Sequence, residues 1–449
     1  MTLAAITTCA TDRAPRLAAL RAELDARGLD GAILTTADAY QNEDPPNHDR
    51  GIQWLTGFTG SLAHALVLRD QALFLVDGRY TIQAGQEVDG RHWRFGHFYD
   101  QPLAVQLRNR AAGLRIGFDP MQWSVAQIEA VRAAAPQVEL VVTEDLYAPV
   151  WADRPAPPVA PVTVMPDDMA GRSSGDKRNW LAAELRRADL ALWVETRPDN
   201  IVWMLNLRGS DVAMNPLVLS FAVFGADGTV DWFVDPRKLN EVPHSARVHV
   251  SGDFLPWLAG QGGRVGFDPA STPQAVAVAL QQGGAVACPL GGLITQEKAR
   301  KTEAELAGFA KAHLDDAVAM ARFCHWLSGE LPARQPDEWV VAQALAEFRA
   351  SSPRYLEPSF ATIAATGPNA ALCHYHAKRE TAARLSVDQI FLCDSGGQYL
   401  GGTTDVTRTM AFCPVPDTIR HIATAVLRGF IALSAARFPV GTFPHQLDA

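Results

Sequence analysis

The chain repeats itself, and self-similarity at a fixed spacing restricts a fold more than composition does. Ile52-Gln-Trp54 followed by Gly60-Ser61 returns as Ile201-Val-Trp203 followed by Gly209-Ser210, at an offset of 149. Arg115-Ile-Gly-Phe-Asp-Pro120 returns as Arg264-Val-Gly-Phe-Asp-Pro269 at the same offset. Between them, Phe74-Leu-Val-Asp77 pairs with Trp232-Phe-Val-Asp235 at a slightly different spacing. Three matches in one order imply two copies of one domain. Each copy opens with a helix, residues 15–27 and 176–187, carrying Leu and Ala at helical spacing. Short β-rich runs follow, 31–34 and 190–194, and runs 63–68 and 71–76 flank a hairpin signal at Arg69-Asp70. Alternating strands and helices predict an α/β domain with a mixed sheet. The Gly-Phe-Asp-Pro runs read as strands stopped by proline. Trp54 and Trp203 read as core residues.

Between the copies, residues 149–161 hold five prolines, which predicts an extended, semi-rigid linker. A second boundary falls near 289–298. The domains are therefore expected at 13–158, 159–298 and 299–449, in line with about 150 residues per domain. A helix starts at Thr302, with Glu305 completing a capping box. Leu306, Phe309, Ala310, Ala317, Met320, Ala321, Cys324 and Leu327 form its apolar stripe, with His313 and His325 beside it as core or surface histidines. The net charge of −9 gives no basic surplus for nucleic acid or an anionic membrane. Residues 217–226, the longest uncharged apolar stretch, are far too short to span a bilayer. The first residues lack the pattern of a secretory signal. Six scattered cysteines without a CxxC read as thiols of a reducing compartment, so a cytoplasmic enzyme is expected.

The third segment carries the chemistry. Residues 360–365 read as a strand, and so does the run 389–394, which ends in a carboxylate. The stretch 395–402 reads as a glycine-rich turn, and 403–410 as a second strand rich in β-branched residues. Asp394 should be substantially buried, and a buried carboxylate is costly unless paired or bound to metal. Asp394 and Asp405 on adjacent antiparallel strands would repel unless a cation lay between them. A two-metal site fits such a spacing, and oxygen ligands favour Mg or Mn. Capping, a salt bridge to Arg408 or ordinary turn aspartates are the plain alternatives.

Asp394-Ser-Gly-Gly-Gln-Tyr, followed by Gly402-Thr-Thr-Asp405-Val-Thr-Arg-Thr-Met410, resembles the metal-binding segment of the aminopeptidase P family. This family is a branch of the creatinase and methionine-aminopeptidase ("pita-bread") superfamily. The likeness extends to Thr56-Gly-Phe-Thr-Gly-Ser61, Asp77-Gly-Arg-Tyr80, Asn206-Leu-Arg-Gly-Ser-Asp211 with Asn215-Pro216, Gly367-Pro-Asn369 and His374-Tyr375. It implies an α/β fold of two tandem creatinase-type N-terminal domains followed by a pita-bread catalytic domain. It also implies two divalent ions, most often manganese with cobalt or zinc as alternatives. The implied activity removes the first residue of peptides with proline second. Asp394 and Asp405 match two of the five ligands (two Asp, one His, two Glu), and His374 matches the histidine that steadies the oxyanion. A homodimer is compatible with the family, and no nucleic-acid or membrane partner is expected.

The remaining His and two Glu lie, in the family, in segments resembling His-Gly-x-Gly-His and Glu-Pro. This chain stops at Ala449, and its later histidines, His421 and His445, lack those surroundings. The expectation is an N-terminal part of such an enzyme, with an incomplete pita-bread domain and no activity of its own. Another pita-bread hydrolase, such as an Xaa-Pro dipeptidase or creatinase, and a non-catalytic peptidase-like binding module are the alternatives. The tandem domains argue against the first, and retention of Asp394, Asp405 and His374 against the second.

Overall fold

The structure is a computed structural model that describes residues 12–239 and 245–448; Cys9 and the N-terminal stretch read above lie outside them. The first copy contains β1 (Gly31–Thr35), β2 (Ala63–Leu68), β3 (Ala72–Val76), β4 (Arg94–His97), β5 (Arg115–Phe118) and β6 (Glu139–Val142), in sheet order β4-β3-β2-β1-β5-β6. The strand β7 (Thr163–Val164) then precedes the second copy. That copy has β8 (Leu192–Glu195), β9 (Leu207–Arg208), β10 (Phe221–Gly225), β11 (Val230–Phe233), β12 (Arg247–His249), β13 (Arg264–Phe267) and β14 (Val286–Pro289). Its sheet runs β12-β11-β10-β8-β13-β14, the same order strand for strand. The directions match as well: the first strand pairs antiparallel with its hairpin neighbour and parallel with the strand ending in Gly-Phe. Phe118 and Phe267 close equivalent strands. Trp54 and Trp203 sit on equivalent helices, Gly51–Thr56 and Pro198–Leu205.

Period-two alternation divides each sheet between two cores. In β3, Ala72, Phe74 and Val76 join the core under the helix Ala14–Ala26, while Leu73 and Leu75 join the one under Leu103–Arg110 and Val125–Ala134. Strands buried on both faces explain the continuous apolar runs. The two copies dock on each other through Tyr40 stacked on Phe221, with centroids 4.7 Å apart, and through the Val125 amide on the Thr272 carbonyl.

The linker is held at its start. Trp151 stacks on Trp54 at 5.5 Å, and Arg154 pairs with Asp49 and Asp145, before extended chain follows. The stretch near 289–298 is not a plain connection, because it contains the helix Leu293–Ala299. Trp203 donates its indole N–H to Glu305 (3.1 Å), and Arg172 pairs with Glu297 (2.7 Å). The second copy is thereby bound to the capping box at Thr302, which forms as expected.

The helix Glu303–Arg334, roughly 48 Å long at 1.5 Å per residue, and the helix Glu338–Ala350 back the third segment. The buried line of the longer helix is Ala312, Asp316, Ala319, Met320, Phe323, Leu327 and Leu331. This corrects the sequence reading of the stripe: Leu306 is exposed, and the face is rotated to carry Asp316 inward. His313 and His325 are exposed. Two three-stranded sheets face these helices. One has the order β15 (Tyr355–Pro358), β18 (Gly397–Tyr399), β19 (Gly402–Thr403); the other β16 (Ile363–Thr366), β17 (Phe391–Ser395), β20 (Val406–Met410). The stretch read as a glycine-rich turn thus contains a strand, β18, antiparallel to β15. No helix among the described residues is long and apolar enough to cross a membrane.

Candidate functional site

A cavity of about 1100 Å³ opens where the three segments meet. The first copy lines it with Glu43, Ser61 and Tyr80, the second with Asp211 and Met214, and the third with His374, Asp394 and Asp405.

β17 is the central strand of its sheet, and its alternation decides where Asp394 points. Phe391, Cys393 and Ser395 face the helices and are buried, whereas Leu392 and Asp394 face the other way. Asp394 is therefore half-buried on the cavity wall, not substantially buried as the apolar run suggested. It lies opposite Thr407, whose hydroxyl donates to it at 2.7 Å. Asp405 is exposed and comes one residue before β20, on the strand beside Asp394. Its approach is set by Thr404, whose amide and hydroxyl bond Gly397 and whose carbonyl accepts from Ser359 at 2.8 Å. Gly396 permits this contact, since a Cβ there would meet the Thr404 carbonyl oxygen at 1.9 Å. The two carboxyl groups come within hydrogen-bonding range, and desolvation, then the Asp394 charge, hold Asp405 above the ordinary carboxylate range.

Among the described residues, neither carboxylate has a cationic side chain within 4 Å, and Arg408 turns to the Thr407 carbonyl. Two convergent carboxylates without a counter-charge fit a divalent cation. No third His, Cys, Asp or Glu among the described residues joins them; the one such trio, Asp12, Asp89 and His92, lies elsewhere. His421 is exposed on the helix Asp417–Ala435, bonded to the Asp417 carbonyl, and His445 is exposed and stacks on Phe443. Neither lines the cavity.

β17 is braced from behind. Asp316 and Arg349, each 1% exposed, form a buried pair with Nε–Oδ1 at 2.6 Å. Arg349 also donates to the Ser395 hydroxyl (3.0 Å), next to Asp394, and Tyr399 donates to Asp316 (2.9 Å). Glu338, fully buried, accepts from the Thr366 and Ala383 amides, the Asn369 side chain and the Tyr375 hydroxyl (2.7 Å). One carboxylate so ties down both ends of the loop that carries His374.

The sequence reading missed the contribution of the first copy. The Tyr80 hydroxyl lies 2.6 Å from His374 Nδ1 and 2.7 Å from the Ser61 hydroxyl. Both residues belong to motifs quoted above for resemblance alone, and that was the available signal.

Each segment of the chain resembles a known family. The Creatinase/Prolidase N-terminal domain family matches residues 16–150, a second family of that description matches 153–305, and metallopeptidase family M24 matches 307–449. A probable Xaa-Pro aminopeptidase P of Ajellomyces capsulatus (strain H143) is 32% identical over 98% of this chain and 73% of its own length. A Neurospora crassa protein described in the same words is 32% identical over 97% of this chain and 67% of its own. Among solved structures, the X-prolyl aminopeptidase of Caenorhabditis elegans, described as a cytosolic enzyme with a di-nuclear active site, superposes with a TM-score of 0.90 at 29% identity. The superposition covers 97% of this chain and 76% of that one.

Proposed function

Because the chain belongs to the Xaa-Pro aminopeptidase P family of metallopeptidases, we propose that its cavity takes the N-terminal end of a peptide whose second residue is proline. The bond cut joins that first residue to the proline. The observation that carries this reading is the uncompensated carboxylate pair, Asp394 and Asp405, in a cavity walled by all three segments. These two aspartates would hold divalent ions; oxygen donors suit magnesium or manganese, and the family resemblance favours manganese. When bound, such ions polarise the scissile carbonyl and lower the pKa of a water. His374 contributes its ring to the carbonyl oxygen as negative charge develops there. Proline offers no amide N–H, so a site for it must recognise shape and not a backbone hydrogen bond. A cytoplasmic setting is supported by five described cysteines that form no disulfide and by the cytosolic nematode enzyme.

The test supplies Mn²⁺ and measures release of the first residue from Xaa-Pro and Xaa-Ala peptides. Two carboxylates hold an ion weakly, so residues 1–449 alone should stay at background. A chain that also carries the family's His and two Glu should cleave Xaa-Pro only, and Asp394→Ala should abolish that. Cleavage by residues 1–449 that survives Asp394→Ala would contradict the proposal.

A further inference from the structure

The first copy reaches the third segment through a buried phenol. Tyr80 is 1% exposed, so its hydroxyl must find partners within the protein. It has two: Ser61 Oγ at 2.7 Å and His374 Nδ1 at 2.6 Å. The Ser61 hydroxyl also lies 3.2 Å from a carboxylate oxygen of Glu43, which in turn pairs with Arg79 at 3.5 Å. The approach is built into the backbone, because a Cβ at Gly60 would meet the Tyr80 ring at 2.8 Å. Phe58 packs edge-on against the phenol, with centroids 5.5 Å apart.

The direction of the hydrogen bonds follows from the end of the row. An ionised carboxylate only accepts, a hydroxyl has one proton to give, and a neutral imidazole has one N–H. Ser61 therefore gives its proton to Glu43. Tyr80 then gives its own to Ser61, and the phenol oxygen accepts from His374. The reverse order would set the lone pairs of Ser61 and Glu43 against each other. We propose that Glu43, Ser61 and Tyr80 form a hydrogen-bond relay that fixes neutral His374 with its proton on Nδ1, leaving Nε2 as the nitrogen offered to the substrate. Tyr80, Ser61 and Glu43 act as positioning residues. In this tautomer neutral His374 offers only a lone pair at Nε2; support of the carbonyl oxygen, as proposed above, belongs to the imidazolium, which donates from Nε2 while its Nδ1–H stays on the Tyr80 oxygen. What His374 does to a substrate rests on the function proposed above; its tautomer does not.

Other charged groups share this space: Asp77 with its partner Arg79, together with Asp44, His376, Lys378 and the pair Asp394 and Asp405. The test is therefore run at one pH and changes the relay alone. Long-range ¹H–¹⁵N spectra of the histidine-labelled chain at pH 8.5, assigned with His374→Gln, report which ring nitrogen bears the proton. The relay requires the Nδ1–H form. It also requires that Ser61→Ala, which frees the Tyr80 proton for Nδ1, moves His374 to mostly Nε2–H. Tyr80→Phe should do the same. A wild-type ring in the Nε2–H form would overturn the proposal, as would an Nδ1–H form that persists in both Ser61→Ala and Tyr80→Phe. None of these readings needs catalytic activity, so a failure here is distinct from a failure of the functional proposal.

Discussion

Replacing Arg349 by Met should loosen the strand that carries Asp394 without touching the cavity. In the wild type, Asp316 and Arg349 are each 1% exposed and bonded through two contacts, at 2.6 and 3.3 Å. The substitution keeps much of the side-chain volume but leaves Asp316 charged, buried and held only by the Tyr399 hydroxyl. Breaking one half of a buried pair costs about 3–5 kcal/mol, whereas replacing both halves by apolar groups is often neutral or better. At 1.4 kcal/mol per decade, hydrogen exchange of the β17 amides should quicken by roughly two to four decades. Exchange suits this chain better than a melting curve, because it reads each domain separately. The double variant Asp316→Leu with Arg349→Met should restore most of the protection. A single variant within one decade of wild type, or a double variant no better than the single, would refute the reasoning.

Burial pushes Glu195, at the end of β8, up to about 7 from its ordinary 4.5, against hydrogen bonds from the Arg197 amide, Asn200 and Trp193. The folded second copy thus binds this proton more tightly than the unfolded chain. Stability from it is full below about pH 4.5 and declines by roughly 3 kcal/mol as pH rises to about 7. Glu195→Gln should flatten that slope in urea titrations of the second copy, and an unchanged slope would contradict the assignment. Gly308→Ala should destabilise, although alanine favours a helix interior by about 1 kcal/mol over glycine. The new Cβ would meet the Gly401 carbonyl at 2.4 Å; a higher melting temperature in the variant would show that the hairpin gives way freely. Glu338→Ala strips four donors of their shared acceptor, the Thr366 amide buried and the other three half-buried, at about 1–3 kcal/mol for the buried one. Limited proteolysis should then cut within residues 367–383 faster than in wild type, and equal rates would count against Glu338 as the tie.

Much of the fold was legible because it is written twice. A shared offset between Phe118 and Phe267 is a statement about register, and equivalent strands follow from it. What stayed hidden depends on contacts distant in sequence. The inward turn of Asp316 requires Arg349, and a lone aspartate on a helix reads as solvent-facing. β18 was invisible because glycines carry no hydrophobic pattern and its partner β15 lies some forty residues earlier. The half-burial of Asp394 follows from alternation within an apolar run, which periodicity alone cannot orient. Asp394 and Asp405 could be singled out from the sequence because both lie on one hairpin. Tyr80 could not, because 294 positions separate it from His374.

The central claim is that Asp394 and Asp405 converge to hold divalent metal in a cavity shared by three segments. Crystals of the chain soaked in millimolar Mn²⁺ and measured at the manganese absorption edge test it directly. The account predicts an anomalous peak in contact with both carboxylates, lost in Asp394→Asn. A peak confined to Asp12, Asp89 and His92, or an empty map at the pair with its carboxylates turned apart, would contradict it.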